Sequence, residues 1–143
     1  MTITGLYNKV STMDTSKVID SAFDQTLEKL ADVNRERMND GVKADGSIMP
    51  NYSPVSVNVF GYPPGPIKLK ATGAFQAKIG VKRKGNVLST ESSDEKNFML
   101  ESTERYSPIF GTSGSYKKQF LDEALRPALN KGITLATGLK FGK

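Results

Sequence analysis

The sequence predicts an α+β fold in which a long N-terminal helix and a C-terminal helix pack on a small antiparallel β-sheet, with a long Pro-rich loop between. Three observations carry this expectation. Apolar residues recur at helical spacing over residues 14–38 and again beyond residue 113. Residues 75–82 alternate strictly between apolar and polar. Five prolines, Pro50, Pro54, Pro63, Pro64 and Pro66, punctuate the stretch between the first helix and that alternation, where the missing N–H groups oppose a helix. At 143 residues the chain suits a single domain spanning 1–143, large enough to bury a core without disulfides.

Residues 1–13 show no clear period and read as an arm. Asp14, Thr15 and Ser16 are good N-cap residues for the helix at 14–38. Two of its four-residue rows are apolar: Val18, Ala22, Thr26, Leu30 and Ile19, Phe23, Leu27, Ala31. A third row, Asp20, Asp24, Glu28, Asp32 and Glu36, is wholly acidic. Like charges four apart cost about 0.2–0.5 kcal/mol per pair, so the four pairs cost roughly 1–2 kcal/mol before compensation. Lys17–Asp20, Lys29–Asp32 and Asp32–Arg35 offer relief at three-residue spacing, and basic groups elsewhere must supply the rest.

Residues 39–66 read as an extended loop, opened by the turn signals Asn39-Asp40-Gly41 and Ala44-Asp45-Gly46. Val55, Val57 and Val59 alternate with polar residues, as in a short edge strand. A loop this long is usually functional or ordered by a partner. The region 67–92 reads as a β-hairpin, with Thr72-Gly73 as a tight entry, strands at 75–82 and 86–91, and a turn at Lys84-Gly85-Asn86. Residues 93–135 read as helical. Ser93-Asp94-Glu95 caps a short segment at 94–101, and Ser113 or Ser115 caps a longer one that Pro127 should kink or restart. Residues 136–143 form a basic tail.

Composition narrows the chemistry. The absence of Cys and His removes thiolate nucleophiles, zinc–thiolate sites, imidazole bases and Ser-His-Asp triads. No apolar stretch approaches the roughly 18–20 residues of a membrane span, so no membrane partner is expected. Residues 1–64 hold six Lys or Arg against eight Asp or Glu, a balance of −2. Residues 65–143 hold fourteen against seven, a balance of +7, and the halves sum to the net +5 of the chain. This asymmetry suits either contact with phosphate or attraction between copies.

Three candidate sites stand beside simpler readings. Gly111-Thr-Ser-Gly114 with Lys117 and Lys118 has the composition of an anion-cupping loop but lacks Walker spacing, and a plain turn explains it as well. Asp20 with Asp24, or Glu28 with Asp32, could hold a divalent cation or act as a glycosidase pair, although acids on an exposed helix face usually only solvate it. Lys82, Arg83 and Lys84 at the hairpin tip could touch a phosphate backbone nonspecifically, or simply keep the hairpin soluble. No catalytic residue, metal ligand or cofactor site is assigned.

Read in order, the long helix, Asp45-Gly46-Ser47, Tyr52-Ser53-Pro54, Ile67-Lys-Leu69-Lys-Ala-Thr72-Gly73-Ala-Phe75, the hairpin and Tyr106-Ser-Pro-Ile-Phe-Gly111 before a closing helix form a pattern. Over residues 15–135 it resembles the tail-completion, or neck, proteins of tailed bacteriophages. The chain departs from that pattern at Ile109 and Phe110, where the family often has His, and in its Pro-rich 61–66 insertion.

The resemblance implies a non-enzymatic virion subunit, built in the host cytoplasm, that forms a homo-oligomeric ring (hexamer or dodecamer) at the head–tail junction. Its implied partners are portal, adaptor, stopper or tail-tube proteins, with nonspecific contact to packaged DNA. On this reading the acidic row Asp20–Glu36 of one subunit faces Lys82, Arg83 and Lys84 of the next. Tyr52, Tyr62, Pro63, Pro64, Ile109 and Phe110 reach neighbouring rings. The alternative function is a small non-sequence-specific DNA-binding protein, with a carboxylate hydrolase a further rival.

Overall fold

Helix α2 (Thr15–Asn39) is the element on which most of the others pack. The computed structural model describes residues 1–70 and 72–141; Ala71, within the motif leading into the hairpin, and Gly142–Lys143, at the end of the expected tail, lie outside the described residues. The chain order is α1 (Ile3–Ser11), α2, α3 (Pro54–Asn58), α4 (Ala74–Ala77), β1 (Ile79–Lys84), β2 (Val87–Ser92), α5 (Asn97–Ser102), α6 (Gly114–Phe120), a π-helical turn (Leu121–Leu125) and α7 (Arg126–Thr137). The fold is α+β, with one two-stranded antiparallel sheet among the described residues. No helix is long and apolar enough to cross a membrane among the described residues.

The expected long helix forms as read. The Asp14 carboxylate caps it by accepting the Lys17 N–H at 3.1 Å. Ala22, Thr26, Leu30 and Ala31 from the two apolar rows are buried. Near the C-terminal end burial spreads around the helix to Val33, Asn34, Arg37 and Met38. Two hydrophobic clusters share α2. One joins Ala31 and Met38 to Phe75, Ile79, Leu100 and Ile109; the other joins Leu30 and Val33 to Phe120.

Arg37 is completely buried among these groups. Its guanidinium donates to the carbonyls of Val42 and Ile109 and, at 3.2 Å, to Asn34 Oδ1. The same Asn34 oxygen accepts the Gly111 N–H at 3.3 Å, while Asn34 Nδ2 donates to the Leu30 carbonyl. One polar knot therefore ties the end of α2 to the chain after it and to the loop before α6. Arg37 Nε has no partner, and burial pushes the guanidinium down to about 10, so it stays charged at neutral pH.

Several expected elements are corrected. The arm at 1–13 contains helix α1, capped by Thr2 Oγ1 accepting the Gly5 N–H and packed against α7. The alternating valines form no strand: Val55 and Val57 lie on α3 and Val59 ends it, because Pro54 sits in its first turn, where a missing N–H costs nothing, and Ser53 caps it. Phe75 lies on α4 rather than a strand: Gly73, at φ +76°, turns the chain into one helical turn before β1 begins at Ile79. The hairpin register runs from Ile79 opposite Ser92 to Lys84 opposite Val87, with Gly85-Asn86 as the turn. The short segment after the hairpin is helical over Asn97–Ser102. Before it, Asp94 accepts the Lys96 N–H at 3.0 Å.

Ser113 precedes α6 but does not cap it, because its hydroxyl donates to the Ala44 carbonyl at 2.8 Å. At Pro127 the helix does not break; a π turn precedes it and α7 continues to Thr137. The segment 39–66 is also shaped by its own chain, through pairings of Val42 with Ile48 and Asn51 with Pro66 and through burial of Ala44 and Met49.

Tyr116 fastens α6 to the end of α2, its hydroxyl donating to Asp40 Oδ2 at 2.6 Å. Burial first, and then the Asp40 carboxylate, pushes the phenol up to about 12. The folded chain therefore keeps a proton that an unfolded tyrosine sheds near its ordinary value of about 10. This contribution is whole below pH 10 and is lost as the pH rises toward 12. In urea titrations across that range, the native chain should lose stability more steeply with pH than Tyr116→Phe; equal slopes would remove the tyrosine from the explanation.

Candidate functional site

The acidic row of α2 is neutralised largely within its own chain. Arg83 on β1 reaches both Asp20 and Asp24, the latter at 3.3 Å, while its guanidinium lies 5.3 Å from the Phe23 ring centroid. The hydrogen bond to Asp20 is the main reason that the Arg83 guanidinium is held above its ordinary value. Arg35 pairs with Glu28 at 2.8 Å and Asp32 at 2.7 Å, and also donates to the carbonyls of Gln76 and Ile79. Gln119 Nε2 donates to Glu36 at 3.0 Å. Lys17 pairs with Asp14 and Lys29 with Glu123, in place of the expected partners Asp20 and Asp32.

These pairs occupy, within one chain, groups that the sequence reading gave to a contact between subunits. Arg83 is occupied by carboxylates of its own chain and Lys82 pairs with Glu91; only Lys84 of the three has no ion pair among the described residues. The five carboxylates are all exposed along the helix, and no group of three or more metal-ligating side chains converges among the described residues.

Arg83 is thus a brace between the hairpin and α2. Arg83→Glu should lower the melting temperature, because Asp20 and Asp24 would then face a third carboxylate, whereas Lys84→Glu should leave it unchanged. Added salt should return part of the loss by screening the repulsion, and Asp20→Arg in the same chain should restore most of it. Equal melting of Arg83→Glu and the native chain would refute the brace.

The expected ring-contact residues separate into two groups. Ile109 is only 2% exposed and Phe110 packs against the same core, with its ring centroid 6.0 Å from that of Phe75. Ile109 is consequently a core residue and not a contact for a neighbour. Pro63 and Pro64 are exposed. Tyr52 and Tyr62 are half-buried and stacked, with centroids 5.0 Å apart and planes 8° from parallel.

Those two rings line a pocket of about 310 Å³. It lies between the Pro-rich segment and the α4–α5 region, with Ile67, Phe75 and Leu100 buried beneath it. Lys70, Lys96 and Arg105 line it as exposed cations. Arg105 is steadied by donation to the Asn51 carbonyl and lies 5.7 Å from the Tyr106 ring centroid. The lining carboxylate, Asp94, is already held by the Lys96 N–H and by Lys78 at 3.2 Å, which keep it below the usual carboxylate range. The site is therefore an aromatic-walled cavity with a cationic mouth, shaped for an apolar group beside negative charge.

Sequence reasoning named Tyr52 and Tyr62 here but missed Lys70, Lys96 and Arg105, which come from separate segments. It also missed Phe98, which is 82% exposed on α5. The signal was present in Phe98-Met99-Leu100, since a helix of one or two turns cannot turn three adjacent apolar residues inward. No family model, curated protein or solved structure matches this chain.

Proposed function

We propose that the chain is a structural subunit of a tailed-phage virion, assembling with copies of itself into a ring at the head–tail junction that joins the portal side to the tail. The order of motifs along the sequence supports the family reading. The observation that carries the assembly reading is the surface. Large apolar side chains stand exposed in three separate places: Ile3, Tyr7 and Val10 along one face of α1, Val55 on α3 with Val59 and Phe60 in the turn after it, and Phe98 with Met99 on α5. Grouped exposed apolar residues on a small folded chain mark surfaces that a partner covers. Because the groups are distinct, the contacts they favour are head-to-tail, and these close into a ring when the rotation allows.

The opposite charges of the two halves contribute little to this assembly, since the acidic row is met largely from within. Apolar faces take the place that charge pairing held in the sequence reading. The test is to image tailed particles encoded with this chain, using an antibody raised against it. Labelling of the single vertex where shell meets tail is the expected result; label spread over the shell, or absent from the particle, would overturn the proposal. The DNA-binding alternative predicts instead that the isolated chain shifts duplex DNA with a steep dependence on salt.

A further inference from the structure

We infer that the aromatic-walled pocket receives Phe98 of a second copy of this chain. This inference rests on the ring reading for the existence of that copy and specifies one of its contacts. Phe98 and Leu100 belong to the same short helix, but Leu100 is buried beneath the pocket while Phe98 is exposed. Two residues along a helix are separated by roughly 200° of rotation, so the helix that helps to build its own pocket points its phenylalanine away from it. Only another molecule can deliver that ring.

The surroundings of the two surfaces are complementary. Glu95 lies in the turn ahead of α5, and Glu101 follows Phe98 by three residues, on the same side of the helix. Glu101 is steadied by the Asn97 side-chain amide at 3.1 Å. An aromatic anchor flanked by carboxylates therefore meets a pocket whose mouth carries Lys70, Lys96 and Arg105 and whose own Asp94 is already compensated. The stacked pair Tyr52–Tyr62 and the buried Phe75 and Leu100 offer aromatic and aliphatic contact to the entering ring. The cavity of about 310 Å³ falls at the lower end of the range for sites that hold compact ligand groups. Anchor and pocket are different surfaces, so the contact is head-to-tail and leaves one free anchor and one free pocket at each step.

The test is complementation in sedimentation equilibrium of the full chain. Phe98→Ala removes the anchor and leaves the pocket; Ser56→Trp fills the pocket and leaves the anchor. Lys70→Glu with Arg105→Glu is a second pocket variant, confined to exposed residues. Each variant alone should self-associate more weakly than the native chain by about tenfold or more, the effect of losing a central aromatic anchor. An equimolar mixture of Phe98→Ala with either pocket variant should form a dimer and stop there, because one intact pocket meets one intact anchor. Variants that associate as the native chain does, or a mixture that fails to pair, would overturn the inference while leaving the ring to form through another face. A native chain that stays monomeric up to about millimolar concentration, where even weak contacts of this kind are populated, would count against the ring reading itself.

Discussion

Replacing Arg37 by alanine should cost about 3–5 kcal/mol of stability, more than any other single polar substitution in α2. The side chain fills space at the junction of α2, the chain at Val42 and the loop at Ile109, so truncation leaves a cavity. It also leaves the carbonyls of Val42 and Ile109 without the donor that satisfies them. Arg37→Met separates these effects. Methionine restores most of the volume and abolishes the burial of a charge, but supplies no donor. Its expected loss is smaller, about 1–3 kcal/mol, the range for buried acceptors left unpaired. Arg37→Lys should fall between, because one ammonium cannot reproduce a planar fork reaching three acceptors. Urea unfolding at neutral pH measures all three. If Arg37→Met were as stable as the native chain, the guanidinium would be a tolerated burial and not the knot described here.

Gly41→Ala should be the most damaging of the single-methyl changes in the segment after α2. Gly41 has φ +71°, and a Cβ built there would lie 2.6 Å from Pro66 Cβ. A left-handed residue with a side chain costs about 1–2 kcal/mol, and overpacking adds about 1–3 kcal/mol. Pro66 cannot move aside freely. It pairs with Asn51, and the next residue, Ile67, donates to the Pro50 carbonyl at 2.9 Å. Gly61→Ala is the internal control, since Gly61 has the same φ of +71° but nothing within 4 Å of its Cβ position. It should show the backbone cost alone. The excess at Gly41 then measures how firmly the Pro-rich segment is held, and with it the Tyr52–Tyr62 wall. Equal losses at the two glycines would show that Pro66 yields easily and that the wall is soft.

The parts of the fold that were legible in the sequence are those set by short-range physics. Helix α2 followed from its apolar rows and the Asp14 cap, and the hairpin from alternation closed by Gly85-Asn86. Where two local signals competed, the weaker one sometimes prevailed. Val55, Val57 and Val59 alternate as a strand does, yet Ser53 and Pro54 start a helix there. Phe75 continues the alternation of β1 but falls on α4, because Gly73 redirects the chain just before it. Long-range pairing was not legible. Arg83 finds Asp20 and Asp24 across about sixty residues, and no local pattern distinguishes an arginine that braces its own helix from one that reaches a neighbour. The pocket is a harder case still. Its tyrosines, cations and floor come from separate segments that stand together only in the folded chain. Arg37 stands outside the two apolar rows, and only the folded chain shows that the end of α2 is surrounded.

The proposed ring requires that this polypeptide be held by copies of itself. Native mass spectrometry of the purified 143-residue chain, over rising protein concentration, tests this requirement. The expected spectrum holds discrete closed assemblies of a single copy number, six or twelve, with few intermediate species once association begins. A spectrum that shows only the monomer throughout, or an open-ended ladder with no preferred size, would contradict it.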